Sequence, residues 1–298
     1  MFRRVIAALT ALAVMAACMP PLAAASDNSL LGRVIILDAG HGAGNTNTYA
    51  GYDEQLAMFK LAQKIKPLLE ARGATVHMTR PTQADVSLNV RAALINKWAL
   101  EALKDSKKLS SVRLGRDNAN PELRELDRLI GITQSIIDNS RKNAPIYLNS
   151  PYSASRKIHP DWKKIFDLEN DPEIYNRFLV ISLHSNATPR PINTAANGVD
   201  VYVTVMPSYY GYTNYQRSCY FGERLLSGIS SLGIKKNKVN QNNFLIIREH
   251  NLPGLLVENG FHTNKGDREK LLDDLFLDKL AKVYADTVTE YFEYIGSP

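Results

Sequence analysis

The chain has 298 residues, 45% of them hydrophobic, enough for one large packed domain or a domain carrying a sizeable insertion. Its formal charge of +6 favours anionic partners such as acidic lipid or an acidic cell-wall polymer. The basic residues are scattered without a long Lys/Arg run, so no nucleic-acid partner is expected.

Arg3 and Arg4 precede an apolar run from Val5 to Ala17, and "CMPPLAAAS" follows. A basic start, an apolar run too short to span a bilayer and small residues suited to cleavage read as a signal peptide over 1–25, with Ala23 and Ala25 forming the Ala-x-Ala site. "VMAAC" loosely resembles a lipobox, so the alternative is a lipoprotein signal ending at 17 with lipid on Cys18, although Met15 stands where leucine is usual. Either way the protein is expected to be exported, to the periplasm, the cell envelope or the medium, with membrane attachment only if Cys18 is lipidated. Cys219 is then the one remaining free thiol, which excludes a disulfide framework and leaves stability to a packed core.

Beyond residue 32 the chain alternates strand and helix signals, the pattern of an α/β domain. "RVIIL" (33–37) reads as a buried strand. "EQLAMFKLAQKIKPLLEARG" (54–73) reads as a helix stopped by Gly73, with Pro67 a misfit that predicts a kink. "ATVHM" (74–78) predicts a second strand and "VSLNVRAALINKWALEAL" (86–103) a second helix. "NPELRELDRLIGITQSIIDNSRK" (120–142) predicts an amphipathic helix capped by Asn120 with Pro121 at its first position. "RFLVISL" (177–183) and "GVDVYVTVM" (198–206) predict two more strands, then "NYQRSCYFGERLLSGISSLG" (214–233) a helix, "FLIIR" (244–248) and "GLLVENG" (254–260) short strands, and 267–294 a closing helix. Apolar strands with helices between them imply a single domain with a mostly parallel twisted sheet covered by helices on both faces, plus a helical insertion.

Such folds keep their chemistry at the carboxyl ends of the strands. His41 follows the first strand inside "DAGHGAG", His184 ends the "RFLVISL" strand, and Glu258 ends "GLLVENG". Asp53 and Glu54 open the first helix and compete for one role on position alone. Two imidazoles and a carboxylate form a common set for catalytic zinc, with water in the fourth position and a further carboxylate as its base. Each residue has a plainer reading: a Gly-His-Gly turn, a helix-dipole partner or turn chemistry. The spacing matches no short metal pattern, and only the shared placement at one sheet edge favours a site.

These residues resemble the zinc-dependent N-acetylmuramoyl-L-alanine amidases of bacterial cell walls. "ILDAGHGAG" is similar to that family's first histidine motif, with Ala43 where a glycine is usual. "DEQLAMFKLAQKIKPLLEARG" resembles its ligand-glutamate helix and selects Glu54 over Asp53. "VSLNVRAALIN" resembles its R-x-x-x-x-N helix, "ISLHSNA" its second histidine motif and "LLVENGFHTN" its catalytic-glutamate motif. The resemblance implies one Zn2+ held by His41, Glu54 and His184, with Glu258 as general base. It implies hydrolysis of the amide between the lactyl group of N-acetylmuramic acid and L-alanine in peptidoglycan. Asn186 and Arg248 are candidates for substrate contact, and Asp38 for orienting His41. Two rival activities stay open, a peptidoglycan endopeptidase and a non-catalytic wall-binding or regulatory protein.

A catalytic domain over 33–296 is expected, interrupted by an inserted arm at about 97–177 where the family has a short link. The arm is either a lid that sets specificity or autoinhibition, which would call for a regulatory protein partner, or an extra structural layer. His159 within it is expected to be exposed and unrelated to zinc. "MPSYYGYTNYQ" (206–216), with Tyr209, Tyr210, Tyr212 and Tyr215, lines a glycan groove or forms an ordered surface loop. His77, His250 and His262 are expected to be structural or to support the site from behind.

Overall fold

The computed structural model describes residues 27–113, 120–139, 159–204 and 214–296. The signal segment, Cys18 and Tyr209, Tyr210 and Tyr212 lie outside the described residues. Among the described residues no helix is long and apolar enough to cross a membrane.

A short 3-10 turn (Asn28–Leu30) leads into β1 (Val34–Ala39), a small hairpin of β2 (Thr48–Tyr49) and β3 (Tyr52–Asp53), α1 (Glu54–Glu70), β4 (Thr75–Met78) and α2 (Leu88–Arg113). The insertion contributes α3 (Pro121–Asp138), α4 (Pro160–Leu168) and α5 (Pro172–Tyr175). β5 (Phe178–Asn186), β6 (Val199–Thr204), α6 (Tyr215–Ser230), β7 (Lys236–Asn242), α7 (Leu245–Arg248), β8 (Gly254–Phe261), α8 (Lys265–Leu272) and α9 (Asp274–Ile295) complete the chain.

Six strands form one sheet in the order β4-β1-β5-β8-β6-β7. β4, β1, β5 and β8 pair in parallel, β6 runs antiparallel to β8, and β7 runs parallel to β6. The period-2 alternation of the strands sorts their side chains onto two faces. Ile35, Leu37, Leu179, Ile181, Leu183, Val201 and Val257 pack on one face with α1, α6 and α9. Val34, Ile36, Phe178, Val180 and Leu256 pack on the other with α2 and the insertion.

In α3, Leu123, Leu126, Leu129 and Ile136 repeat at helical spacing and bury against the sheet layer together with Trp162, Ile165, Phe166 and Ile174 of α4 and α5. Of the two readings of the arm, its described residues make the packed layer. Asn120 caps α3 as the sequence predicts, accepting from the Glu122 N–H at 3.0 Å. His159 caps α4, its Nδ1 3.2 Å from the Asp161 N–H.

Two expectations are corrected, and one strand is added. "FLIIR" is the single helical turn α7, not a strand, because Ile246 and Ile247 both bury on the same side against the α2 layer. The closing helix is two helices, broken at Asp273, whose carboxylate caps α9 through the Leu275 N–H at 2.9 Å. β7, an edge strand of lysines and amides, was not signalled by any apolar run. Pro67 falls in the last turn of α1, near its end at Glu70, and does not divide the helix.

Thr204 and Asn214, the described residues on either side of the tyrosine segment, both lie at the sheet edge opposite Glu258. Because β6 is antiparallel to β8, it enters at the Glu258 edge with Asp200 and leaves at the opposite edge at Thr204. Asn214 is held there, donating to the Asn251 carbonyl at 2.6 Å. Tyr215 packs half-buried between the layers and accepts from the Gln241 amide at 2.6 Å.

Candidate metal centre

β1 delivers Asp38, Gly40 and His41 to the carboxyl edge of the sheet. Gly40 lies so close to His184 that an added Cβ would sit 2.3 Å from the imidazole Cε1, so only glycine leaves the ring its place. His41 has φ of 60°, in the left-handed region, which costs a non-glycine residue about 1–2 kcal/mol. Two buried arginines hold that turn. Arg80 donates to the carbonyls of Ala39 and Gly40 at 3.2 and 3.3 Å, and Arg91 to those of Ala39, at 2.7 Å, and His41.

Asp38 reaches His41 only through this frame. Its carboxylate accepts from Arg91 at 3.1 Å, from the Ser182 hydroxyl at 2.6 Å and from Thr79, and does not touch the His41 imidazole. Burial would raise its pKa, but the Arg91 charge and the two hydroxyls outweigh burial and hold it below the usual carboxylate range.

The structure separates Asp53 from Glu54. Asp53 caps α1 through the Gln55 N–H at 3.1 Å, whereas Glu54, 1% exposed, turns into the site. Its Oε1 lies 2.9 Å from His184 Nδ1 and accepts from the Ser185 N–H at 3.0 Å. Its Oε2 lies 3.2 Å from His41 Nε2 and accepts from the Asn47 amide at 2.8 Å. Burial opposes ionisation of Glu54, but the two imidazoles reverse that and depress its pKa. Burial likewise disfavours the charged form of His184, and Glu54 overrides it, pushing His184 up to about 9.

One ligand atom from each of His41, Glu54 and His184 lies within 4.8 Å of the others, so these three side chains could hold a divalent metal. Glu258 stands beside them, because β8 pairs with β5 and sets it level with His184. Its Oε2 is buried with no hydrogen-bond partner among the described residues. Burial pushes its pKa up to about 8, with Glu54 and Asp200 adding to the rise and His184 opposing it. A proton-accepting group next to a ligand set is what a water-activating site needs.

Asn259 and Tyr52 support the site without having been singled out in the sequence, whereas His262 was. The Asn259 amide donates to the His184 carbonyl at 3.1 Å and accepts from the Tyr284 hydroxyl at 2.7 Å. Tyr52 donates to the Ser185 hydroxyl at 2.9 Å, and its ring stacks on His262 at 5.1 Å. His262 supports the site from behind, its Nδ1 3.1 Å from both oxygens of Ser185. His77 stacks on Trp98 at 4.5 Å, and His250 is buried in the core. Asn186 ends β5 level with Phe261, two residues past His184. Arg248 turns to Glu249 at 2.7 Å and to the Asn243 carbonyl at 2.9 Å, away from the ligand set.

A doubly covered sheet that presents two imidazoles, a buried carboxylate and a second carboxylate at one edge has the donor set of a metallohydrolase. The family model for N-acetylmuramoyl-L-alanine amidase matches residues 35–103 and 155–290, more than half of the chain, and the chain belongs to that family. It is 40% identical over 63 residues to the probable cell wall amidase LytH of Staphylococcus saprophyticus, a match covering 20% of this chain and 22% of that protein. It is 26% identical over 152 residues to the endolysin of Bacillus phage SPP1, covering 50% of this chain and 54% of the endolysin. The match to the Bacillus subtilis protein YqiI covers 57% of that relative, so the chain spans little more than half the length of these two relatives. Among solved structures, an N-acetylmuramoyl-L-alanine amidase from Clostridium difficile superposes with a TM-score of 0.53 at 18% identity, covering 89% of this chain and 98% of that one. At that identity the likeness speaks for the fold.

Proposed function

We propose that this protein is a zinc-dependent N-acetylmuramoyl-L-alanine amidase that cuts the bond between the lactyl group of N-acetylmuramic acid and L-alanine in peptidoglycan. The observation that carries the reading is Glu258: a buried carboxylate oxygen without a partner among the described residues, level with His184 and beside a His-Glu-His donor set. His41, Glu54 and His184 would hold the metal. Glu54 fits that role because its carboxylate is already desolvated and flanked by both imidazoles. Zinc bound there supplies a Lewis acid for the amide carbonyl and lowers the pKa of bound water from about 15.7 to about 7.

The chain's own groups do the rest. Glu258 takes the proton from the attacking water and passes it to the amide nitrogen as the C–N bond breaks. Arg91, anchored on Asp38, fixes the turn that carries His41. Asn186, two residues past His184 at the end of β5, would contact the substrate, whereas Arg248, tied to Glu249 and the Asn243 carbonyl, is assigned no contact with it. The protein acts outside the cytoplasm, exported by its amino-terminal segment, with a catalytic domain over 33–296. The CwlD amidase of Clostridioides difficile, similar in fold with a TM-score of 0.52, was solved in complex with the GerS lipoprotein, which supports a regulatory protein partner here.

The test is metal content and peptide release from sacculi for the exported form, with Glu258→Ala and His184→Ala alongside. Wild type carries about one zinc and frees peptides beginning with L-alanine. Glu258→Ala keeps the metal and loses about 10²–10⁴-fold in rate, the usual worth of a general base. His184→Ala loses both. Peptides cut within the stem would make the protein an endopeptidase, and a wild type without metal would end the metallohydrolase reading.

A further inference from the structure

The polar row at the sheet edge does not stop at Glu258. β6 lies antiparallel to β8 with Asp200 paired to Glu258, which is itself level with His184 on β5. Val201 and Val257 pack into the same core layer, so Asp200 and Glu258 share the opposite face. Paired residues on one face hold their Cβ atoms about 4.5–5.5 Å apart, which puts Asp200 one side chain beyond the reacting centre.

Asp200 is 9% exposed. Its Oδ1 accepts from the Asn240 amide and its Oδ2 from the Asn237 amide, each at 3.2 Å. These contacts aim the carboxylate without neutralising it. Among the described residues no lysine, arginine or histidine lies within ion-pairing distance, although buried charges are normally paired. Nor does Asp200 belong to a group of three metal-ligating side chains among those residues. A nearly buried carboxylate with no described lysine, arginine or histidine in ion-pairing reach suits a monovalent cation that donates hydrogen bonds.

We propose that Asp200 binds a primary ammonium group on the peptide part of the substrate. The inference rests on the amidase reading, which supplies such groups from two sources. Hydrolysis adds water across the C–N bond, leaving a carboxyl on the lactyl group and a free amine on L-alanine that is protonated near neutral pH. A diamino acid further along the peptide presents a second ammonium on its side chain.

Isothermal titration of the zinc-loaded protein with L-Ala-γ-D-Glu-L-Lys, its Nα-acetyl form and its Nε-acetyl form separates the two. One acetylation weakens wild-type binding by about tenfold or more, the scale expected when a buried charge loses its partner. Loss with Nα-acetyl identifies the released amine, and loss with Nε-acetyl the side-chain amine. Asp200→Asn then binds the free peptide as weakly as wild type binds the blocked one, and Asp200→Glu recovers part of the difference.

The wild-type comparison needs no variant, so a folding defect in Asp200→Asn would not obscure it. Equal binding of all three peptides, no binding of any, or full discrimination kept by a folded Asp200→Asn would each overturn the proposal. Peptide release from sacculi, measured in parallel, distinguishes this failure from failure of the amidase reading. Normal release without discrimination removes only Asp200's role.

Discussion

At the scale of single residues, the site depends on small groups whose value is invisible without their neighbours. Gly40→Ala places a methyl group against the His184 ring, where the nearest contact would be 2.3 Å. His184 must swing away from Glu54, so zinc affinity is expected to fall by about 10–100-fold, the usual effect of disturbing a ligand's support. Circular dichroism that stays native while a competitive chelator strips the variant at lower concentration would bear this out; unchanged affinity would not. The four residues proposed for the chemistry were legible because each ends a strand or opens a helix, and their motifs occur in family order. Asp53 and Glu54 could not be separated by position, since one residue's difference decides between capping α1 and facing His184. Arg80 was not legible at all: its partners are backbone carbonyls of Ala39, Gly40, Gln55 and Thr82, and a carbonyl leaves no mark on a sequence.

At the scale of elements, α3 shows what the insertion does. Leu129 is fully buried in the layer that covers the sheet face opposite α1. Leu129→Ala is expected to cost about 2–5 kcal/mol, as deletion of a buried leucine side chain does in a close-packed core. Urea unfolding measures that loss, and metal content at low urea should equal that of wild type. A variant as stable as wild type would mean that α3 only rests on the domain. The amphipathic pattern and the Asn-Pro start made α3 readable, whereas β7 and α7 were not. β7 is an edge strand whose lysines and amides face water or Asp200, so no hydrophobic alternation announces it. α7 is a single turn, too short for 3.6-residue periodicity to be distinguished from an apolar strand.

At the scale of the whole molecule, two buried titratable groups on the insertion side make opposite contributions to how stability depends on pH. Glu169 accepts from the Asn251 N–H at 2.5 Å through Oε2, while its Oε1 is buried without a partner among the described residues. Burial pushes its pKa from 4.5 up to about 8. The folded chain therefore keeps this proton where the unfolded chain has lost it. The stabilisation is complete below about pH 4.5 and is lost as pH rises toward about 8. His250 works in the opposite direction. Burial pushes it from 6.5 down to about 4, so the unfolded chain takes up a proton that the folded chain refuses, and stability is lost as pH falls through that window. The combined contribution of these two groups is greatest at mildly acidic pH. Glu169→Gln keeps the Asn251 contact and cannot ionise, so the decline from about pH 5 to about pH 8 should be shallower than in wild type. The comparison is made by thermal melting of metal-free protein, so that metal affinity does not enter. Because Glu169 is far more protonated in the fold than in the unfolded chain across this range, the Tm advantage of Glu169→Gln must grow with pH; melting curves that shift in parallel would show that another group carries the loss.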